Sequence, residues 1–255
     1  MKETLRMSDA SHLVDIDAHG VARLTLNRPD VCNALDDHLI TAINEELFRL
    51  MRSDDVRVIV ITGAGDGFCA GIDVSWMEHL ARDEPSEDAK RLANFLWNLR
   101  NCTKPTIARV NGVAAGAGVA IITVCDMAIA DDAASFSLPA VRLGAVPTVI
   151  APFLCDVMGP SQTKKLLMTG ERFSAEEAKR LGIVHALCLG ANLDATVSRY
   201  AAYFRAGGPM ALRETKAIMN SFGRAPITQT LLHDAARVSA RNRKTEEARE
   251  GLAAF

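Results

Sequence analysis

At 255 residues, with 49% hydrophobic side chains and a formal charge of −2, the chain has ample material for one large buried core. Its Lys and Arg are spread along the sequence, which argues against a nucleic-acid-binding face. No apolar run approaches the ~18 residues of a membrane span, and Met1–His12 is polar without a signal-peptide hydrophobic region, so neither membrane nor secretory partners are expected. In chain order, short strands are expected at Leu13–Ile16 and Val21–Leu26, joined by a turn at His19-Gly20. Asn27-Arg28-Pro29-Asp30 breaks that pattern. Asp36 can cap a helix whose Leu39, Ile43, Leu47 and Leu50 recur at helical spacing. Val56–Thr62 is a continuous β-branched run of the kind buried on both faces of a helix-covered sheet, and Gly63–Gly67 ends it.

A second helix is expected over Ala89–Asn101, with Leu92, Phe95, Leu96 and Leu99 on one face. Pro105–Val110 reads as another buried strand, followed by a glycine-rich run from Asn111 to Gly118 and an apolar helix over Val119–Val124. Short strands follow near Met127–Ala130 and Ser135–Leu138. From Pro147 onward the sequence reads as almost wholly helical, with Pro160, Ser174, Pro209 and Pro226 near helix starts. The six cysteines (Cys32, Cys69, Cys102, Cys125, Cys155, Cys188) are scattered singly, which predicts reduced core thiols and a cytoplasmic location. The histidines show no metal-ligand spacing, so no metal is expected.

One unit occurs twice: strand, glycine-rich turn, helix. Val56–Thr62 leads through Phe68-Cys69-Ala70-Gly71-Ile72-Asp73 towards Trp76 and Met77, and Thr106–Val110 leads through Asn111–Gly118 into Val119–Val124. Small residues let a backbone approach a ligand, and a helix N-terminus offers unpaired N–H groups. Two such termini brought together would form a two-donor oxyanion hole. The same glycines also suit tight turns and close helix–sheet packing. A nucleotide-binding alternative is weak: Phe68 and Ile121 stand where a third glycine should be, and no Gly-Lys-Ser/Thr is present.

Taken in order, Leu26-Asn27-Arg28-Pro29, Asn33-Ala34-Leu35, Phe68–Asp73, Asn111-Gly112 with Gly116-Ala117-Gly118, Cys125-Asp126 and Arg142–Pro147 resemble the enoyl-CoA hydratase/isomerase (crotonase) superfamily. Asp73–Met77 and Val141–Phe153 look most like its methylglutaconyl-CoA hydratase-like branch. The resemblance implies an α/β fold built as a spiral of ββα units. Residues 1–195 would form the acyl-CoA-binding core and 196–255 a helical trimerisation region, giving a homotrimer or hexamer. It implies an acyl-CoA thioester as ligand, with no cofactor beyond the coenzyme A that the substrate carries. Carried over residue by residue, the oxyanion donors would be the backbone N–H groups of Ile72 and Ala117. The nucleotide would pass Arg28 and Val31, and the pantetheine Ala70, Ile72 and Val74. Val113, Gly116, Pro139 and Leu143 would complete the substrate contacts, and Asp73 would fix its turn rather than move protons.

The family's hydratases commonly use two glutamates, and the matching positions here are Ala120 and Ala140. General acid–base groups supply about 10²–10⁴ in rate each, so their loss should nearly abolish simple hydration unless another group substitutes. Glu78 and His79 are candidates, though a solvated helix face explains them equally. Arg142 could meet a carboxylate on the acyl chain or form a salt bridge. Asp131 and Asp132 read as an exposed turn, His185 as structural, and Ser135 or Ser137 lack the Gly-x-Ser-x-Gly of a hydrolase nucleophile. The expectation is therefore an acyl-CoA-processing enzyme, hydratase-like first. An isomerase, decarboxylase or thioester hydrolase, and a non-catalytic acyl-CoA binder, stay open.

Overall fold

The structure, a computed structural model, describes residues 10–80, 87–222 and 226–254. Strands β1 (His12–Ile16) and β2 (Val21–Leu26) form an antiparallel hairpin in which His12 pairs with Leu26 and Ile16 with Ala22. Helix α1 (Asp37–Arg52) starts where expected: the Asp36 carboxylate accepts from the Leu39 N–H at 2.8 Å. Strand β3 (Val58–Gly63) is buried at every position. Its neighbours in a six-stranded sheet are β2 on one side and β5 (Thr106–Val110) on the other. β7 (Met127–Asp131) and β10 (Ala186–Cys188) follow, all parallel.

Side chains alternate across a strand, so the continuous apolar runs fill two separate cores. Ile59 and Ile61 of β3 face a core shared with α1 and with α3 (Glu87–Arg100), through Leu39, Ile43, Phe95 and Leu96. Val58 and Val60 face the opposite way, with Ile107 and Ile129, onto Leu193, Val197 and Ala201 of helix α7 (Leu193–Ala206). The helix that crosses position 195 therefore lies directly against the main sheet. Beyond it, α8 (Pro209–Phe222), α9 (Gln229–Asn242) and α10 (Glu246–Ala254) contribute no buried residue among those described.

A second sheet orders β4 (Gly67–Cys69), β6 (Val113–Ala115), β8 (Ser135–Ser137) and β9 (Arg172–Ser174); the first three are parallel and β9 runs antiparallel. Successive segments therefore place one strand in each sheet and then turn: β3 to β4, β5 to β6, β7 to β8. Since β4, β6 and β8 are parallel neighbours, the segments leaving their carboxyl ends come together at one edge. Those segments are Ala70–Ile72, Gly116–Ala117 and Pro139–Ala140. Ligand sites outside the carboxyl ends of parallel strands follow the same rule.

The sequence reading needs correction after Pro147. Residues 145–150 form a loop, and β9 and β10 interrupt the helices. β10 completes the main sheet because Ala186–Cys188 pairs in parallel with Ile129–Asp131. Ser174 does start a helix, α6 (Ala175–Arg180), by accepting from the Glu177 N–H. Pro160 sits inside α5 (Ala151–Thr169), one residue after Gly159 leaves helical geometry, so it begins the second half of a kinked helix.

Candidate active site

The turn after β4 is held almost group by group. The Ala70 N–H donates to the Cys32 carbonyl at 2.8 Å, and the Gly71 N–H to the Cys69 sulfur at 3.5 Å. The Leu35 N–H donates to the Gly71 carbonyl at 2.7 Å, and the Asp73 N–H to the Leu35 carbonyl at 2.9 Å. This is a parallel bridge between Leu35 and Ile72, in which the groups of Ile72 itself point away from the partner. Its N–H is left without a protein acceptor among the described residues. Ile72 is half-buried and lines a cavity, so this donor is open to an acceptor that enters there.

Asp73 completes the turn. One carboxylate oxygen accepts from both the amide (3.0 Å) and the hydroxyl (2.7 Å) of Ser75, and the other from Arg28 Nη2 at 3.0 Å. The Ser75 hydroxyl, with Arg28, holds the Asp73 carboxyl below the usual carboxylate range.

After β6, the Gly116 N–H donates to the Ser137 carbonyl at 2.9 Å, and helix α4 (Ala117–Val124) begins at Ala117 with no side-chain cap. Its first N–H groups are the positive end of the helix dipole. Gly71, at φ +94°, brings the two turns into contact: a Cβ there would lie 2.8 Å from the Ala115 carbonyl oxygen and 3.4 Å from the Ala117 nitrogen. Gly118 lies against β4, where a Cβ would overlap the Cys69 carbonyl oxygen. Glycine serves close backbone packing in both turns.

An apolar cavity of about 220 Å³ opens beside both turns. Ala70, Gly71, Ile72, Gly116 and Ala117 form one side. Pro139, Ala140 and Leu143 line it from the short helix after β8, and Trp76, Met77, Ala89 and Leu92 from α2 (Val74–Leu80) and α3. The loop from Ala145 to Ile150 closes it. Among the described residues its wall carries no carboxylate, imidazole, amine or guanidinium; the polar side-chain groups are the Thr148 hydroxyl and the Trp76 indole N–H.

Seven of the residues singled out from sequence thus meet at one cavity: Ala70, Ile72, Gly116, Ala117, Pro139, Ala140 and Leu143. Ala120 lies one turn into α4, wholly buried and behind the wall rather than on it. Val31, Val74 and Val113 are exposed outside the cavity, and Arg28 is turned towards Asp73. Arg142 is exposed and donates to the Thr169 carbonyl, so it does not reach the cavity. His185 accepts the Ala128 N–H on Nδ1, and Asp131 accepts the Ala133 N–H in a turn, as structural groups do. The side chains of Glu78 and His79 lie outside the described residues. The sequence reading missed the loop wall from Ala145 to Ile150; Gly144 and Pro147, two chain-breaking residues three apart, were the available signal.

Two glycine-rich turns thus meet at the carboxyl edge of parallel strands, beside an apolar cavity, one with the Ile72 N–H unpaired among the described residues and the other opening an uncapped helix. The enoyl-CoA hydratase/isomerase family model matches residues 17–255, and the chain belongs to that family. It is similar to a crotonyl-CoA hydratase of Syntrophomonas wolfei, 31% identical over 240 residues covering 92% of this chain and 91% of the relative. A peroxisomal Δ(3,5)-Δ(2,4)-dienoyl-CoA isomerase of Arabidopsis thaliana is 32% identical over 213 residues, 78% of this chain and 77% of its own. In three dimensions it superposes on an enoyl-CoA hydratase of Shewanella pealeana with a TM-score of 0.92 at 32% identity, covering 96% of this chain and 93% of the other. The fold is the crotonase fold. No helix among the described residues is long and apolar enough to cross a membrane, and none of their His, Cys, Asp and Glu form a metal-holding group of three or more.

Proposed function

We propose that this chain binds an enoyl-CoA thioester with its carbonyl oxygen on the N–H groups of Ile72 and Ala117, and acts as a hydratase-like lyase with an altered proton-transfer apparatus. The observation that carries this is the unpaired Ile72 N–H at the wall of the cavity, beside the uncapped start of α4. Hydration adds water oxygen to Cβ and a proton to Cα, and its enolate-like intermediate places negative charge on the thioester oxygen. Fixed donors aimed at that oxygen are worth about 10²–10³ in rate each. No cofactor is needed beyond the coenzyme A of the substrate.

Proton transfer is where this site differs from a two-glutamate hydratase. Positions 120 and 140 hold alanine, and no described wall residue ionises near neutrality. That supports a second reading, in which the protein holds acyl-CoA thioesters or turns them over by another reaction of the family, such as double-bond isomerisation. Calorimetric titration decides the shared premise. Acetoacetyl-CoA, whose enolate resembles the intermediate, should bind at least tenfold more tightly than free CoA. Equal affinities would sink the donor assignment. Crotonyl-CoA hydration at the rates of two-glutamate hydratases would show that another base is present.

The C-terminal helices support a homotrimer or hexamer. Ile227, just before α9, is 80% exposed, and Leu232 (55%) of α9 and Leu252 (72%) of α10 are exposed as well, so large apolar side chains are left open among the described residues. A monomer in light scattering at micromolar concentration would overturn this.

A further inference from the structure

We infer that Arg28 is a positioning residue for the Ile72 donor, and not a contact for the nucleotide end of the substrate; this rests on the reading of the site proposed above. The guanidinium is committed within the protein. Nη1 donates to the Ala34 carbonyl at 2.6 Å and lies 3.1 Å from an Asp36 carboxylate oxygen, and Nη2 donates to Asp73 at 3.0 Å. Its side chain is only 25% exposed.

These partners belong to two segments that meet at Ile72. The first is the run from Cys32 to Asp36, where Cys32 and Asn33 both adopt positive φ (51° and 57°) and Asn33 ties itself back to the Arg28 N–H. Leu35 of that run is the residue bridged to Ile72. The second is the turn itself, through Asp73, the next residue after the donor. A planar fork reaches acceptors on both segments at once, which a lysine ammonium at a single point does not. Arg28 therefore fixes the angle between the Leu35 bridge and the Ile72 peptide. Turning that peptide swings the Ile72 N–H off its acceptor, and a hydrogen bond weakens steeply as its own donor–hydrogen–acceptor angle departs from linear. An oxyanion donor works only when its direction is set beforehand.

The two roles separate on a truncated substrate. Arg28→Lys and Asp73→Asn break the same link from opposite ends, so failure of one to fold leaves the other. Each should be titrated with acetoacetyl-CoA, free CoA and the acetoacetyl thioester of N-acetylcysteamine, which lacks the nucleotide. Positioning predicts about tenfold weaker binding of both thioesters, with free CoA unchanged. Parallel weakening of CoA and acetoacetyl-CoA, with the truncated thioester unaffected, would assign Arg28 to the nucleotide and overturn the inference. Amide NMR of the ligand-free protein gives a readout independent of what the site binds. The Ile72 resonance should move in both variants while that of Ala117 stays; an unmoved Ile72 resonance overturns the inference even where the thioesters bind as proposed. A parent protein that does not prefer acetoacetyl-CoA over CoA would instead defeat the reading of the site, and the Ile72 resonance would then decide the inference alone.

Discussion

The two turns that flank the cavity, each proposed above to offer one backbone donor, are built from different materials. The turn after β4 is a polar lattice, in which Arg28, Asp73, Ser75 and the Asn33 amide carry the geometry through hydrogen bonds. The turn after β6 is a steric device. α4 is apolar, buried and uncapped, and its position is set by Gly118 against Cys69 and by the Gly116 N–H on Ser137. A lattice of bonds to a charged group is sensitive to pH and to isosteric substitution. Packing against a neighbouring backbone is sensitive to single methyl groups and indifferent to pH. One site can therefore be loosened from either side by perturbations that leave the other turn alone.

The largest expected effect comes from adding what both turns lack. Ala140 lies on the cavity wall, in the short helix that follows Pro139. In Ala140→Glu a carboxyl group would enter an apolar space that raises its pKa by desolvation, towards the range where it exchanges protons near neutrality. With both donors in place, crotonyl-CoA hydration should rise by about 10²-fold or more. A folded variant that binds acetoacetyl-CoA and gains nothing would show that the cavity is shaped for different chemistry, and would promote isomerisation over hydration.

The steric turn is tested next. In Gly118→Val the new Cβ would meet the backbone oxygen of Cys69 and, 2.9 Å away, its Cβ, neither of which is the free end of a flexible side chain. A destabilisation of about 3 kcal/mol is expected from overpacking, read as a lower denaturant midpoint that is the same at pH 5 and pH 8. A neutral Gly118→Val would mean that α4 slides freely along β4, and the contrast between the turns would fail.

The same contrast explains what was legible in the sequence. Val58–Gly63 and Thr106–Val110 announced themselves because strands buried on both faces need unbroken apolar runs, and Leu39, Ile43 and Leu47 because helical burial has its own period. Gly67-Phe68-Cys69 and Val113-Ala114-Ala115 look like loop in isolation. They are strands only because β8 offers β6 a parallel partner and β6 offers one to β4. Ala186-Leu187-Cys188 was hidden in the same way, since its strand character is supplied by β7. At the site, the ordered motifs pointed to the two turns that line the cavity because short-range glycine chemistry is local. The commitment of Arg28 to Asp73, 45 residues away, is set by the tertiary fold and leaves no trace in spacing.

The smallest expected effect is the acid response of the polar turn. The Ser75 and Arg28 contacts stabilise the charged form of Asp73, so its folded-state pKa lies below the ordinary value of 3.8. A carboxyl depressed in this way binds fewer protons folded than unfolded. Its contribution is fully present above the ordinary pKa and is lost as pH falls through the folded one. At pH 5 to 8 Asp73 is ionised in both states, and Asp73→Asn should cost a constant amount of about 1.5–3 kcal/mol, the scale of hydrogen bonds to a charged group. Below about pH 4 the unfolded parent chain begins to protonate Asp73 while the folded one keeps it ionised, so the difference between the two should shrink. Melting curves of the pair from pH 3 to pH 7 measure this directly, with the Gly118→Val variant as the control whose offset stays flat. A pair difference that grew towards acid, or that was already shrinking at pH 6, would contradict a carboxylate held in its charged form. It would then place the stability of the first turn in its packing, like that of the second.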